Sequence, residues 1–199
     1  SRIGYSSTSR ANIYGLSNFC RALTYDSSKS SVYVGGDHTT TCDSSNISID
    51  ASNIAYINLN TGNIYPLGST AKNGTNDKVN SIKLDTTNNV LYVDGSFTTV
   101  YDSSNTSLSA NYIAKYDVSN QSWSRLGSSS SNGLGGMGKA LFYDNTNKAV
   151  YASGAFTAVR DSTTDISKNF NYVAKWDVAK SAWSPLGSYG NGTNGNISA

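Results

Sequence analysis

Val32-Tyr33-Val34-Gly35-Gly36 is followed 59 residues later by Leu91-Tyr92-Val93-Asp94-Gly95, and after another 59 by Val150-Tyr151-Ala152-Ser153-Gly154. A short apolar run closed by glycine reads as a buried strand ending at a bulge or a close backbone approach. The flanking segments repeat in step. Upstream, Arg21-Ala22-Leu23-Thr24-Tyr25-Asp26 matches Asn80-Ser81-Ile82-Lys83-Leu84-Asp85 and Lys139-Ala140-Leu141-Phe142-Tyr143-Asp144, again at steps of 59. Downstream, Ile54-Ala55-Tyr56-Ile57-Asn58 matches Ile113-Ala114-Lys115-Tyr116-Asp117 and Val173-Ala174-Lys175-Trp176-Asp177. Ile64-Tyr65-Pro66-Leu67-Gly68 matches Trp123-Ser124-Arg125-Leu126-Gly127 and Trp183-Ser184-Pro185-Leu186-Gly187, at steps of 59 and 60. Four segments in register through three copies define a repeat.

Each copy holds four short strands, at approximately 20–25, 31–36, 53–59 and 63–67 in the first. Asp-Ser-Ser-Lys-Ser at 26–30 and its counterparts at 85–89 and 144–148 supply turns through Asx bonding and tolerance of left-handed backbone. Four antiparallel strands in a unit of this length describe a propeller blade. The predicted fold is all-β, a β-propeller-type array of four-stranded antiparallel blades of about 59 residues, with three full repeats plus partial ends. The boundaries are 15–73, 74–132 and 133–191 for the blades, 1–14 for a partial preceding blade or linker, and 192–199 for the start of a fourth blade. A single blade cannot bury both faces, so stability requires stacking. The aromatics Tyr56, Tyr116 and Trp176, and Tyr65, Trp123 and Trp183, are expected to fill the space between blades.

The two ends read as parts of the same array. Asn191-Gly192-Thr193-Asn194 copies Asn73-Gly74-Thr75-Asn76 at a step of 118, twice the repeat, and Ile197 falls at the position of Val79. The expected partners are therefore other copies of the chain or further blades of the same chain.

Composition supports strands and turns. Glutamate is absent, so all 13 acidic residues are Asp, while Ser, Thr, Asn and Gly abound and Tyr occurs 14 times. Strong helix formers are scarce, and Ser, Asn and Asp favour turns over helix. Formal net charge is +2, without the basic stripe that nucleic acid requires. No apolar run reaches the roughly 20 residues of a spanning helix. The pair Cys20 and Cys42 predicts a disulfide and an oxidising compartment. Asn46, Asn73, Asn105, Asn120, Asn191 and Asn196 head Asn-x-Ser/Thr sequons and are candidate N-glycan acceptors. Chance alone supplies about this many, but Asn46 and Asn105 are equivalent positions in successive copies, as are Asn73 and Asn191.

No catalytic residue, metal ligand or cofactor site is expected. His38, the only histidine, takes the position of Phe97 and Phe156 and is expected to pack as they do. Two Cys and one His provide no zinc spacing, and no phosphate-binding glycine loop is present. The Asp residues at 26, 85 and 144, and at 43, 102 and 161, recur in every copy, which fits turns better than the two distinct carboxylates of a glycosidase. The inserts at about 42–52, 101–110 and 160–170 are rich in oxygen ligands, but their spacing is not that of a calcium loop and the closing Glu is missing; they read as turns. Tyr112 and Tyr172, at the junction of insert and strand, are the candidate ligand-facing aromatics, with packing under the insert as the favoured reading.

Val-Tyr-Val-Gly-Gly at 32–36, and Tyr116-Asp117 followed by Trp123 and Leu126, resemble kelch-type propeller repeats. Gly-Ser-Phe-Thr-Thr at 95–99 is similar to the repeats of fungal cortical polarity-marker proteins and to those of bacterial and large-virus surface proteins. The resemblance implies a binding scaffold or a surface role. The expected function is that of an extracellular structural or adhesive repeat protein at a cell or virion surface, glycosylated and self-assembling, and not an enzyme. The alternative is a lectin-like or protein-binding propeller module, with glycans as ligands.

Overall fold

A computed structural model describes residues 15–42, 47–69, 72–104, 106–160, 168–186 and 193. Its frame is three four-stranded antiparallel sheets, each a simple meander in chain order. The first contains Cys20–Asp26, Ser31–Gly36, Ile54–Asn58 and Ile64–Pro66. The second contains Val79–Asp85, Val90–Gly95, Ile113–Asp117 and Ser122–Arg125. The third contains Gly138–Asp144, Ala149–Gly154, Val173–Asp177 and Ala182–Ser184. No helix occurs among the described residues. These are propeller blades.

The turns form as their residues dictate. Asp85 accepts the amides of Thr87 and Asn88 and the side chain of Asn88, and Asp144 holds Thr146 and Asn147 in the same way. Glycine ends the second strand for a steric reason. A β-carbon at Gly36, Gly95 or Gly154 would lie 1.9, 2.1 or 2.2 Å from the carbonyl oxygen of Phe19, Lys78 or Met137. The segment entering each blade crosses there with no room for a side chain.

The inserts are more ordered than turn formers alone predict. They fold into hairpins, Thr40–Cys42 with Ser48–Asp50, Thr99–Tyr101 with Ser107–Ser109, and Ala158–Val159 with Lys168–Asn169. The segment leading into each blade joins its hairpin: Gly15–Leu16 pairs with Thr40–Cys42, Gly74–Thr75 with Thr99–Tyr101, and Leu134 bridges Val159. Each blade therefore carries a second, smaller sheet. The later lead-ins are also bonded to the blade before them, through Thr75 N to Ser52 O, Leu134 N to Asn111 O and Thr193 N to Asn171 O, at 2.9–3.0 Å.

The blades stack through apolar faces. Tyr33, Ile54 and Leu67 of the first blade meet Ile82, Leu91, Val93, Tyr116 and Trp123 of the second. Tyr92, Ile113 and Leu126 of the second meet Leu141, Val150, Trp176 and Trp183 of the third. Burying each such side chain stabilises the stack by about 1.5–3 kcal/mol. The first strands of neighbouring blades are also tied by polar bonds, Asn80 Nδ2 to Gly138 O at 2.7 Å and Leu141 N to Ser81 Oγ at 3.1 Å.

Two expectations need correction. Cys20 and Cys42 are free thiols. They lie on different sheets, Cys20 opposite Gly36 and Cys42 opposite Gly15, and the Cys20 thiol contacts Ala22 O instead. The aromatic register is also different in the first blade. Tyr116 pairs with Trp123 and Trp176 with Trp183, but the residues in their place are Ile57 and Ile64. Tyr56 and Tyr65 pair one position along, where the other blades have Lys115 with Ser124 and Lys175 with Ser184. One residue of displacement on a strand puts the side chain on the opposite face. The first-blade rings therefore point toward the second blade rather than away from it.

Candidate functional site

His38 sits in the packed interior. It is fully buried, like Phe97 and Phe156 at the same position, and neither ring nitrogen has a hydrogen-bond partner. Burial drives its pKa down to about 4, against a small opposing pull from Asp37, so the ring is neutral near pH 7. No cluster of three metal-ligating residues occurs among the described residues. Asp102 accepts the amides of Ser104 and Thr106, a turn role. Its counterparts Asp43 and Asp161 lie outside the described residues.

Tyr112 and Tyr172 occupy one repeated corner, shared with Asn53. All three have positive φ, 63°, 66° and 64°. Their amides donate to the carbonyls of Phe97, Phe156 and His38, and their carbonyls accept from Gly95, Gly154 and Gly36. Tyr112 packs against the core between the second and third blades. The two tyrosines are equivalent points on separate blades and do not converge on one site.

Of the candidate glycan acceptors, Asn46, Asn105, Asn191 and Asn196 lie outside the described residues. Asn120 is exposed, with its Nδ2 donating to Asp117 at 2.8 Å. Asn73 is only 2% exposed. Its Nδ2 donates to Asp50 O and Ser69 O while its Oδ1 accepts the amide of Ser52. Asn132, at the same place in the next blade, accepts the amide of Asn111 in the same manner. Asn73 is thus a structural clasp whose amide leaves no exit for a glycan.

The displaced tyrosines line a concavity. A cavity of about 490 Å³ opens between the first and second blades. Tyr33 and Tyr116 are its buried floor, and Tyr56 and Tyr65 stand beside it, ring centroids 4.9 Å apart at 21°. Lys29, Asn58 and Gln121 contribute polar groups. Burial pushes the Tyr33 and Tyr116 phenols far above their ordinary pKa, and Tyr56 upward as well, so all three remain neutral hydroxyls. None of the three hydroxyls has a hydrogen-bond partner among the described residues. Tyr56 packs between blades as expected, whereas Tyr65 is 37% exposed; aligning Ala55 with Ala114 and Ala174 already places Tyr56 with Lys115 and Lys175.

A second surface is the leading face of the first blade. Leu23 and Tyr25 are 61% and 56% exposed, whereas Ile82 and Leu141, the counterparts of Leu23, are 1% and 5% exposed against the preceding blade. Tyr143, the counterpart of Tyr25, donates to Asp85 across the blade boundary at 2.6 Å. Phe142, on the third blade, is also largely exposed, beside Tyr151.

No curated protein sequence matches the chain. Among solved structures, the chain is similar to the WD40 repeats of RRP9, with 10% identity and a TM-score of 0.40, over 87% of this chain and 52% of that one. The chain thus spans about half the length of that structure. Residues 54–199 match the family described as the Rax2 C-terminal beta propeller domain. That match takes in the last two strands of the first sheet and the whole of the second and third sheets, and the chain belongs to this β-propeller family.

Proposed function

We propose that the chain is a non-catalytic structural and adhesive module of a cell or virion surface that joins further blades of its own kind face to face. The observation that carries this reading is the uncovered leading face, where Leu23 and Tyr25 stand free in positions that Leu141 and Tyr143 fill at an internal boundary. Exposed apolar clusters of this sort mark association surfaces. A second copy, or a further blade of the same chain, would supply the trailing face. In a head-to-tail pair of copies, Tyr25 would meet Asp144 as Tyr143 meets Asp85, Asp144 lying one repeat of 59 after Asp85 and Tyr25 two repeats before Tyr143. Such heterologous contacts propagate into rings or filaments.

The Ser-, Thr- and Asn-rich inserts and the sequons at Asn46 and Asn105 support a glycosylated, extracellular setting. The likeness of Gly-Ser-Phe-Thr-Thr at 95–99 to kelch-like repeats of fungal cortical polarity-marker proteins points the same way. Sedimentation velocity tests the association. The 199-residue chain is expected to grow in size with concentration, and Leu23→Lys with Tyr25→Lys is expected to abolish that growth. A monomer at every concentration would remove self-association from the reading.

A further inference from the structure

The cavity between the first and second blades has a lining that the equivalent strands of the other blades do not repeat. The second and third blades form the same strands with Lys115 and Ser124, or Lys175 and Ser184, where the first has Tyr56 and Tyr65. Those blades keep their aromatic pairs on the face that is buried against the preceding blade. The first blade instead holds a stacked pair at the edge of open space, with Tyr65 37% exposed. Tyr56 packs against the core between the first and second blades, and Tyr65, stacked on it, is the more exposed ring of the pair.

The lining chemistry identifies the class of ligand. Aromatic rings present flat apolar faces with a polar tip. The phenols of Tyr33, Tyr56 and Tyr116 are neutral, and each both donates and accepts. The Asn58 side-chain oxygen accepts the amides of Asn60 and Thr61, which leaves its Nδ2 as a donor, and the Gln121 side-chain amide both donates and accepts. Among the described residues, Lys29 is the only charged residue of the lining. A pyranose matches this set: its C–H face lies on a ring, and its hydroxyls both donate and accept. A polyproline segment also fits aromatic grooves, but its carbonyls only accept, leaving half of the polar capacity unused. The volume of about 490 Å³ falls within the ordinary range of ligand pockets, about 300–1,000 Å³.

We propose that the groove formed by Tyr33, Tyr56, Tyr65 and Tyr116 binds a neutral oligosaccharide, the rings stacking on sugar and the amide rim reading its hydroxyls. This site is separate from the leading face and does not depend on the association described above.

The test uses the full 199-residue chain. Linear tetrasaccharides of glucose, mannose and N-acetylglucosamine are titrated calorimetrically into the wild type, into Tyr56→Lys/Tyr65→Ser and into Leu23→Lys. The double substitution installs what the second blade carries, so its melting temperature is expected to stay near the wild type. At least one tetrasaccharide is expected to bind, with affinity reduced tenfold or more by the double substitution and unchanged by Leu23→Lys. Three outcomes overturn the proposal: no heat from any tetrasaccharide at millimolar concentration, equal affinity in the folded double variant, or binding of a decaproline peptide that the double variant loses while no saccharide binds. If the double variant does not fold, Tyr65→Ser alone, at the half-exposed ring, is read in the same way.

Discussion

Gly138 faces Asp94 across the boundary between the second and third blades, and a β-carbon at 138 would lie 2.7 Å from the Cβ, Cγ and Oδ2 of Asp94. One boundary earlier the arrangement is reversed. Gly35 stands where Asp94 stands, and a β-carbon on it would lie 2.5 Å from Cγ1 of Val79, the counterpart of Gly138. The same space is filled from opposite sides at the two boundaries.

This reciprocity predicts a double-mutant rescue. Gly138→Val alone is expected to destabilise by about 1–3 kcal/mol through overpacking. Asp94→Gly together with Gly138→Val recreates the Gly35–Val79 pair and is expected to recover most of the loss, with a coupling energy above about 1 kcal/mol. Urea denaturation of the four proteins measures it; additive losses would show that the boundary does not couple them.

Asp94 also predicts a pH dependence. Its carboxyl is fully buried and neither oxygen has a well-formed hydrogen bond. Burial raises its pKa well above the usual carboxylate value, and the Ser81 amide and the Lys83 charge pull it back only in part. The folded state therefore holds the proton more tightly than the unfolded chain. Stability from this group is full below about pH 4, the unfolded value, and is lost as pH rises toward the folded pKa. Asp94→Asn is expected to be more stable than the wild type at pH 7 and to lose that advantage below pH 4, as thermal melts across pH would show.

His38 predicts the opposite trend on the acid side. With a folded pKa of about 4 against an ordinary 6.5, the unfolded chain takes up the proton first as pH falls. Stability is full above pH 6.5 and declines between there and pH 4, by on the order of 2–3 kcal/mol. His38→Phe, the residue of the other two blades, is expected to flatten this decline in denaturation curves taken from pH 7 to 4. An unchanged slope would locate the acid sensitivity elsewhere.

The Tyr143–Asp85 bond predicts both a loss and a gain. Tyr143→Phe is expected to cost about 1.5–3 kcal/mol, the usual value of a hydrogen bond to a charged group. In the first blade, Asp26 Oδ2 is buried without a partner. Leu84 of the second blade, which occupies the place of Tyr143, cannot donate. Leu84→Tyr supplies the missing donor and is expected to raise the denaturation midpoint, with Leu84→Phe as the control that fills space without donating.

Much of the frame was legible because repetition amplifies weak signals. Three aligned copies locate strands, turns and the obligatory glycine at 36, 95 and 154. His38 was readable as a packing residue because two copies have Phe there. The hairpins of the inserts were not legible, since Ser- and Asn-rich segments read as turns and their pairing depends on a lead-in strand some 25 residues upstream. Cys20 and Cys42 could not be assigned without coordinates, because a disulfide depends on where two β-carbons point. Tyr56 does fill space between blades, but matching aromatic to aromatic hides that it and Tyr65 lie one position from Tyr116 and Trp123, since the face of a strand is decided by position alone.

The bonds from Thr75 to Ser52, Leu134 to Asn111 and Thr193 to Asn171 make every blade the anchor for the chain that enters the next. A tensile load along the polypeptide would pull on these stitches in shear before it reached the sheets themselves. Opening a blade boundary would then begin at its stitch, ahead of the apolar faces that the stitch holds in register.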